Sequence, residues 1–123
     1  MTVPEIDGLQ IVVDAEGQGR ETERGDTVDV HYTGFLGVGE GNTEKGKQFD
    51  SSIPRKRPLK FTVGTGQVIK GWDEGLLGMK KGEKRTLYIS PFLGYGNKDV
   101  GEGLIPPNST LIFETELVGI EGE

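Results

Sequence analysis

Alternation of apolar and polar residues is the feature of this sequence that most limits its fold. The pattern is clearest near the C-terminus, where Leu111, Phe113 and Leu117 share one face while Glu114 and Glu116 share the other. A period of two residues is typical of strands that bury one face of a sheet. The alternating segments are 9–13, 27–35, 59–63, 84–89 and 111–117. They predict an antiparallel sheet of about five strands.

One segment, 68–78, has the period of a helix instead. Ile69, Trp72 and Leu76 are spaced i, i+3 and i+7, and Gly78 stands where a helix C-cap would. Each glycine inside this segment costs about 1 kcal/mol relative to alanine, so packing against the sheet must hold the helix in place. A sheet with one short helix on its apolar face is an α+β domain of two layers.

Glycine is unusually frequent, with 21 of 123 residues against an average share of about 7%. The glycines follow no period, which predicts tight turns and bulges between short strands. The stretch 37–46 is predicted to be a surface loop, and 90–109 is a second long loop. Apolar residues that favour burial punctuate the second loop, so a functional role is expected for it. They are Phe92, Leu93, Tyr95, Leu104 and Ile105.

Composition excludes several classes of function. The length fits a single domain spanning 1–123, with residues 1–8 as an N-terminal extension. A formal net charge of −6 would repel a phosphate backbone, so no nucleic acid is expected as a partner. Cysteine is absent, which removes thiol chemistry and suits a reducing compartment. No secretory signal pattern and no membrane-length apolar run occur, so we expect a cytoplasmic protein with no membrane partner.

A search for catalytic groups returns little. His31, the single histidine, lies on the polar face of a predicted strand without a serine or cysteine at a meaningful spacing, so a structural role is expected. Gly64-Thr65-Gly66 lacks the further glycine and the lysine of a phosphate-binding loop. No cofactor and no metal are expected. Aromatic and aliphatic residues near the loops remain, and periodicity alone favours an ordinary core over a binding pocket.

Five sequence blocks favour the pocket. They are Val30-His31-Tyr32-Thr33-Gly34, Phe49-Asp50-Ser51-Ser52, Gly66-Gln67-Val68-Ile69-Lys70-Gly71-Trp72-Asp73-Glu74-Gly75, Leu93-Gly94-Tyr95-Gly96 and Ile105-Pro106-Pro107-Asn108-Ser109-Thr110-Leu111-Ile112-Phe113-Glu114. With these blocks in this order, the chain from about Gly8 to Gly119 resembles the FKBP family of peptidyl-prolyl cis–trans isomerases. The resemblance implies a twisted antiparallel sheet wrapped around one short α-helix. The active pocket would lie between them, under the 90–109 loop.

The resemblance also implies the activity. A family member accelerates rotation of Xaa-Pro bonds in proteins and peptides by stabilising the twisted amide without covalent chemistry. It would be a monomer that binds tacrolimus and rapamycin, which inhibit it, and the drug complexes would engage calcineurin and the TOR kinase. The alternative is a binding module whose pocket holds a partner's proline loop or a macrolide, and whose isomerase activity is incidental.

Site residues follow from the resemblance position by position. The expected catalytic set is Asp50, Tyr95, Trp72, Tyr32 and Phe113. The set expected to bind substrate or ligand is Tyr32, Phe49, Asp50, Arg55, Leu59, Phe61, Val68, Ile69, Trp72, Tyr95, Leu104, Ile105 and Phe113. Trp72 would form the pocket floor, the Tyr95 hydroxyl and the Ile69 backbone N–H would donate to substrate carbonyls, and Arg55 would orient Asp50.

Several positions depart from the family pattern. Leu59 stands where many relatives have an aromatic wall residue, so a wider pocket is expected on that side. Leu104 occupies a rim position that is often β-branched, and the loop 37–46 is longer than in the smallest members. These departures lie at the rim and in loops, so they are expected to alter drug and partner recognition rather than catalysis.

Overall fold

One antiparallel sheet of six strands dominates residues 6–123, the part of the chain that the computed structural model describes. The strands are β1 (Leu9–Ala15), β2 (Thr27–Val38), β3 (Glu44–Ser51), β4 (Leu59–Thr62), β5 (Lys84–Ile89) and β6 (Leu111–Ile120). Their order is β1-β5-β6-β2-β3, and β4 also pairs with β2. The helix α1 (Lys70–Gly75) lies between β4 and β5 in the chain. Residues 1–5 of the predicted extension 1–8 lie outside the described part.

The predicted α+β class is confirmed, with six strands where the sequence indicated about five. The strand that was not predicted is β3. It is an edge strand, and most of its side chains from Glu44 to Gln48 are exposed. A strand with so little buried surface has no apolar alternation, so its sequence contained no period to detect.

The predicted surface loop 37–46 is shorter in the structure. β2 continues to Val38, β3 begins at Glu44, and a short 3₁₀ turn, Glu40–Asn42, joins them. The glycines of this stretch suggested a loop, but two of them lie within strands, where the lack of a side chain allows close packing. A Cβ atom at Gly37 would lie 2.5 Å from the Asn42 carbonyl oxygen, and one at Gly46 would lie 2.7 Å from the Val38 side chain.

The core lies between α1 and one face of the sheet. Val30 pairs with Leu117 across β2 and β6, and Ile89 pairs with Leu111 across β5 and β6. All four side chains are buried. The alternation in the sequence therefore identified the buried face of these strands correctly.

The helix is shorter than the predicted segment 68–78. It begins at Lys70 and ends at Gly75, with Leu76 rather than Gly78 at the C-cap position. Gly78 has a positive φ of 79° but lies beyond the helix, where its N–H donates to the carbonyl of Thr22. The predicted C-cap was therefore wrong by two residues, because the chain leaves the helix to join the segment that contains Thr22.

A buried ion pair fixes the end of this helix. Arg85 lies on the apolar face of β5, is fully buried, and donates from Nε to Glu83 at 2.5 Å. Its Nη1 donates to the carbonyl of Gly75 at 3.0 Å and to that of Leu77 at 2.8 Å. The guanidinium thus binds carbonyls that a helix terminus leaves without intrahelical partners.

Within residues 6–123, no helix is long and apolar enough to cross a membrane.

Replacing Gly71 by alanine should destabilise the fold, although alanine is the better helix former. The new methyl group would lie 2.7 Å from two carbon atoms of the buried Ile89 side chain, so the helix would have to move away from the sheet. We expect the free energy of unfolding to fall by about 1–3 kcal/mol in urea denaturation.

The matched control is Gly119→Ala, because a methyl group there meets nothing within 4 Å. Its stability should stay near that of the wild type. Equal stability of the two variants would contradict the close contact between α1 and β5.

Candidate functional site

An aromatic cluster joins α1 to the sheet. The ring centroids of Tyr32 and Phe113 each lie 5.1 Å from that of Trp72, and both rings meet the indole edge to face. Phe49 meets Phe113 in the same way at 5.5 Å, and Phe61 is tilted against Trp72 at 5.7 Å. Aromatic pairs of this geometry are each worth about 0.5–1.5 kcal/mol beyond the area they bury. The cluster therefore forms a rigid apolar wall.

Gly34 allows these rings to meet. It follows Tyr32 by two residues on β2 and so lies on the same face of the sheet. A Cβ atom at Gly34 would lie 2.6 Å from the Phe49 ring and 2.7 Å from the Phe113 ring. Any other residue would push the two rings apart, so ring packing accounts for the glycine in Tyr32-Thr33-Gly34.

A cavity of about 200 Å³ opens beside the cluster. Most of the residues that line it are aromatic or aliphatic, and they include every residue of the predicted catalytic set. The lining residues are Tyr32, Phe49, Asp50, Leu59, Gln67, Val68, Ile69, Trp72, Tyr95 and Phe113. The chain thus brings β2, β3, β4, β6, the start of α1 and the 90–109 stretch to one place.

Four residues of the predicted binding set do not line this cavity. Phe61 and Ile105 are only 5% and 3% exposed and belong to the core, where Phe61 packs against the lining residue Trp72. Arg55 contacts the polar edge of the cavity through its hydrogen bonds. Leu104 is exposed, because Val100 and Ile105 pair through their backbones and turn the intervening residues outward.

Gln67 lines the cavity and was given no role from the sequence. Its Oε1 accepts a hydrogen bond from the backbone N–H of Thr62 at 2.9 Å, which ties the segment before α1 to β4. A single polar residue in a turn has no periodic pattern, so only its place in the Gly66-Gln67-Val68-Ile69 block could have indicated it.

A buried carboxylate holds the turn that leads into this wall. The two oxygens of Asp73 accept from the backbone N–H groups of Gly64 and Gly66, each at 2.8 Å. Both glycines have positive φ angles, 79° and 82°, a conformation that other residues rarely adopt. The turn thereby places Val68 and Ile69 at the cavity.

A polar network borders the cavity on the side of β3. The Tyr32 hydroxyl donates to Asp50 Oδ2 at 2.6 Å, and Arg55 Nη1 and the Ser51 N–H donate to Asp50 Oδ1 at 3.1 and 2.8 Å. Arg55 Nη2 also donates to the Tyr32 hydroxyl at 3.0 Å. The expected contact between Arg55 and Asp50 is therefore present, and both carboxylate oxygens are held.

This network keeps Asp50 ionised. Partial burial opposes ionisation, but the hydrogen bonds from Tyr32, Arg55 and Ser51 outweigh it, so the pKa of Asp50 lies below its ordinary value. Burial and the bond to Asp50 raise the pKa of Tyr32. Burial and the charge of Asp50 also raise the pKa of Tyr95. At neutral pH the site contains one fixed negative charge beside two protonated hydroxyls.

Two donors at the cavity remain available. Neither the Tyr95 hydroxyl nor the Ile69 backbone N–H makes a hydrogen bond to any residue within 6–123. Ile69 is the N-cap residue of α1 and has no side-chain cap. A ligand that carries two carbonyl oxygens could therefore bind here without displacing an internal hydrogen bond.

The lining contains no serine, cysteine or histidine among the described residues. His31 lies on the opposite face of β2 from Tyr32, where its Nδ1 is 2.7 Å from Oγ of the buried Ser52. The site therefore suits a reaction that needs binding and electrostatics but no nucleophile. Rotation about a peptide bond is such a reaction, because no bond is formed or broken.

Comparisons with known proteins agree with a site for rotation about a peptide bond. A family model described as FKBP-type peptidyl-prolyl cis–trans isomerase matches residues 18–118. FK506-binding protein 1A of Neurospora crassa is 68% identical over 123 residues, which cover 99% of this chain and 96% of the relative. An FK506-binding protein of Neisseria meningitidis serogroup A is 52% identical over 105 residues, covering 85% of this chain and 89% of the relative. The crystal structure of AtFKBP13 superposes with a TM-score of 0.77 at 42% identity, covering 91% and 92% of the two chains.

The chain belongs to the FKBP-type peptidyl-prolyl cis–trans isomerases. The enzyme class and the fold inferred from the sequence are thereby confirmed.

Replacing Tyr32 by phenylalanine should raise the pKa of Asp50 towards its ordinary value, because the hydroxyl that donates to Oδ2 is lost. Since the folded pKa is depressed, ionised Asp50 stabilises the fold above its unfolded pKa, and this contribution is lost as pH falls through the folded pKa. In the variant the pKa of Asp50 is depressed less, so this contribution is smaller and its loss on acidification is complete at a higher pH. Carboxyl NMR titration between about pH 2 and 6 measures the change.

Tyr88→Phe serves as the control, because Tyr88 lies on β5 and its hydroxyl makes no contact with Asp50. Its Asp50 titration should match the wild type. An unchanged titration in Tyr32→Phe would mean that Arg55 and Ser51 alone hold the carboxylate.

Proposed function

We propose that the cavity holds the proline ring of an Xaa-Pro segment and accelerates rotation about the preceding amide without covalent chemistry. The observation that carries this proposal is the meeting of a rigid aromatic wall, two available donors and a fixed carboxylate in one cavity. Drug-sized ligands need about 300–1,000 Å³. A cavity of about 200 Å³ suits one small apolar ring, with the rest of the chain outside.

The physical barrier explains why such a cavity is sufficient. Rotation of an Xaa-Pro bond must break amide resonance, at a cost near 18–20 kcal/mol, and takes tens to hundreds of seconds unaided. Twisting reduces the charge separation of the amide, so an apolar site favours the twisted state over the planar state. An acceleration of order 10⁵ needs about 7 kcal/mol of differential binding.

The polar groups have separate roles in this mechanism. The Tyr95 hydroxyl and the Ile69 N–H donate to carbonyl oxygens on either side of the proline and fix the segment. Asp50 acts as a fixed negative charge rather than an acid or base, because its pKa is depressed and both its oxygens are held. A nearby negative charge stabilises the carbonyl carbon, which becomes electron-poor as the nitrogen stops donating into it.

One ring of tacrolimus (FK506) or rapamycin is proposed to enter the same cavity, with the rest of the macrocycle outside it. The names of the relatives, FK506-binding proteins, support this ligand class. Leu59 is 39% exposed at the rim, so this wall offers less contact than an aromatic side chain would. Calcineurin and the TOR kinase are proposed partners of the drug complexes, through a surface that includes the exposed Leu104. Cytoplasmic location and a monomeric state stay predictions.

The test is the isomerisation rate of a short Leu-Pro-Phe peptide at low temperature, with and without tacrolimus. We expect a catalysed rate that one equivalent of drug abolishes, because substrate and drug compete for one cavity. A drug that binds without any catalysis would favour the proline-loop binding module. Catalysis that excess tacrolimus leaves unchanged would place the reaction outside this cavity.

Replacing Tyr95 by phenylalanine should lower kcat/KM and tacrolimus affinity by about 2- to 10-fold, the worth of one hydrogen bond. The free energy of unfolding should not change, because the hydroxyl makes no hydrogen bond within the described residues. Urea denaturation and a fluorescence titration with drug measure the two effects. Wild-type affinity in the variant would exclude Tyr95 as a donor to the ligand.

A further inference from the structure

A second, open groove begins where the cavity ends. It shares four lining residues with the cavity, Gln67, Val68, Ile69 and Tyr95. Its other lining residues are Gly66, Phe92, Gly94, Gly96, Asn97 and Lys98. A peptide that leaves the cavity over Ile69 and Tyr95 therefore enters this groove directly.

Phe92 gives the groove a fixed aromatic surface. It is 67% exposed, more than any other large apolar side chain within 6–123. Its ring packs over Gly8, where a Cβ atom would lie 2.4 Å from it, and its backbone belongs to the 3₁₀ turn Pro91–Leu93. An exposed aromatic ring that is held in place offers contact area at little entropic cost.

Lys98 gives the groove its charge. It is the one charged side chain of the groove's described lining, and it makes no ion pair within residues 6–123. The neighbouring Asp99 is directed elsewhere, because its Oδ1 accepts from the N–H of Gly103 at 2.6 Å. A local positive charge in a chain of net charge −6 favours an acidic ligand at this place.

We propose that this groove binds the residues that flank the proline on one side, and that it selects a large apolar side chain against Phe92 and a carboxylate near Lys98. This inference rests on the proposed placement of proline in the cavity. An extended chain advances about 3.4 Å per residue, so side chains two to four residues from the proline lie about 7–14 Å from it and are the positions to test. The enzyme thereby prefers Xaa-Pro sites with acidic and apolar flanks.

The test compares peptides that share the Leu-Pro-Phe core and carry glutamate, glutamine or lysine two, three or four residues before or after the proline. The measured quantity is the ratio of kcat/KM for the glutamate and lysine peptides on the same enzyme. For the wild type at low salt we expect a ratio of about two to five on one flank, as for an exposed ion pair. The ratio should decrease with added salt.

Two substitutions locate the effect. Lys98→Glu should invert the ratio. A second peptide pair carries phenylalanine or alanine on the flank that responds, and Phe92→Ala should remove the preference of the wild type for the phenylalanine peptide. Lys81→Glu is the matched control. Lys81 is exposed and lies before the start of β5, whereas the groove residue Phe92 lies after its end. The control substitution makes the same change of net charge at the opposite end of a strand about 20 Å long.

The outcomes are distinct. A ratio of one on both flanks, or an inversion by Lys81→Glu as large as that by Lys98→Glu, would overturn the groove while leaving the isomerase mechanism intact. Absence of turnover for the core peptide itself would overturn the proposed function, and the groove inference with it.

Discussion

The close contact between α1 and β5 governs the geometry of the whole site. Gly71 and Gly75 have no side chains, so the helix backbone can approach Ile89 and Leu87. That approach places Trp72 among the rings carried by β2, β4 and β6, and it brings the N–H of Ile69 to the cavity edge. The cost of glycine in a helix is thus offset by packing.

The sequence predicted the parts of this arrangement that bury a regular face. Alternation in β2, β5 and β6 follows directly from burial of every second residue, and the helical spacing of Trp72 and Leu76 follows from contact with the same face. β3 could not be predicted in this way, because most side chains from Glu44 to Gln48 are exposed. The end of α1 depends on Arg85, a residue distant in sequence, so local signals misplaced it.

The candidate site also has features that the sequence predicted and features that only the folded chain defines. The motif resemblance identified the whole proposed catalytic set, and all of these residues line the cavity. It could not distinguish residues that line the cavity from residues that are buried in the core. Phe61 is buried by its register on β4 and Ile105 by the turn that it closes with Val100, and both contacts form only in the folded chain. The state of Asp50 depends on three donors that converge from β2, β3 and the segment after it, so its ionisation was a property of the fold.

The buried pair of Glu83 and Arg85 limits the substitutions that this chain can accept at either position. Removal of one member of a buried ion pair leaves an uncompensated charge and costs about 3–5 kcal/mol, whereas joint replacement by apolar residues of similar volume is often neutral. Here the arginine also satisfies two carbonyls at the end of α1, which apolar replacements would leave unpaired. Either single substitution therefore destabilises the domain, and joint apolar replacement would still leave the end of α1 without the donor that holds it.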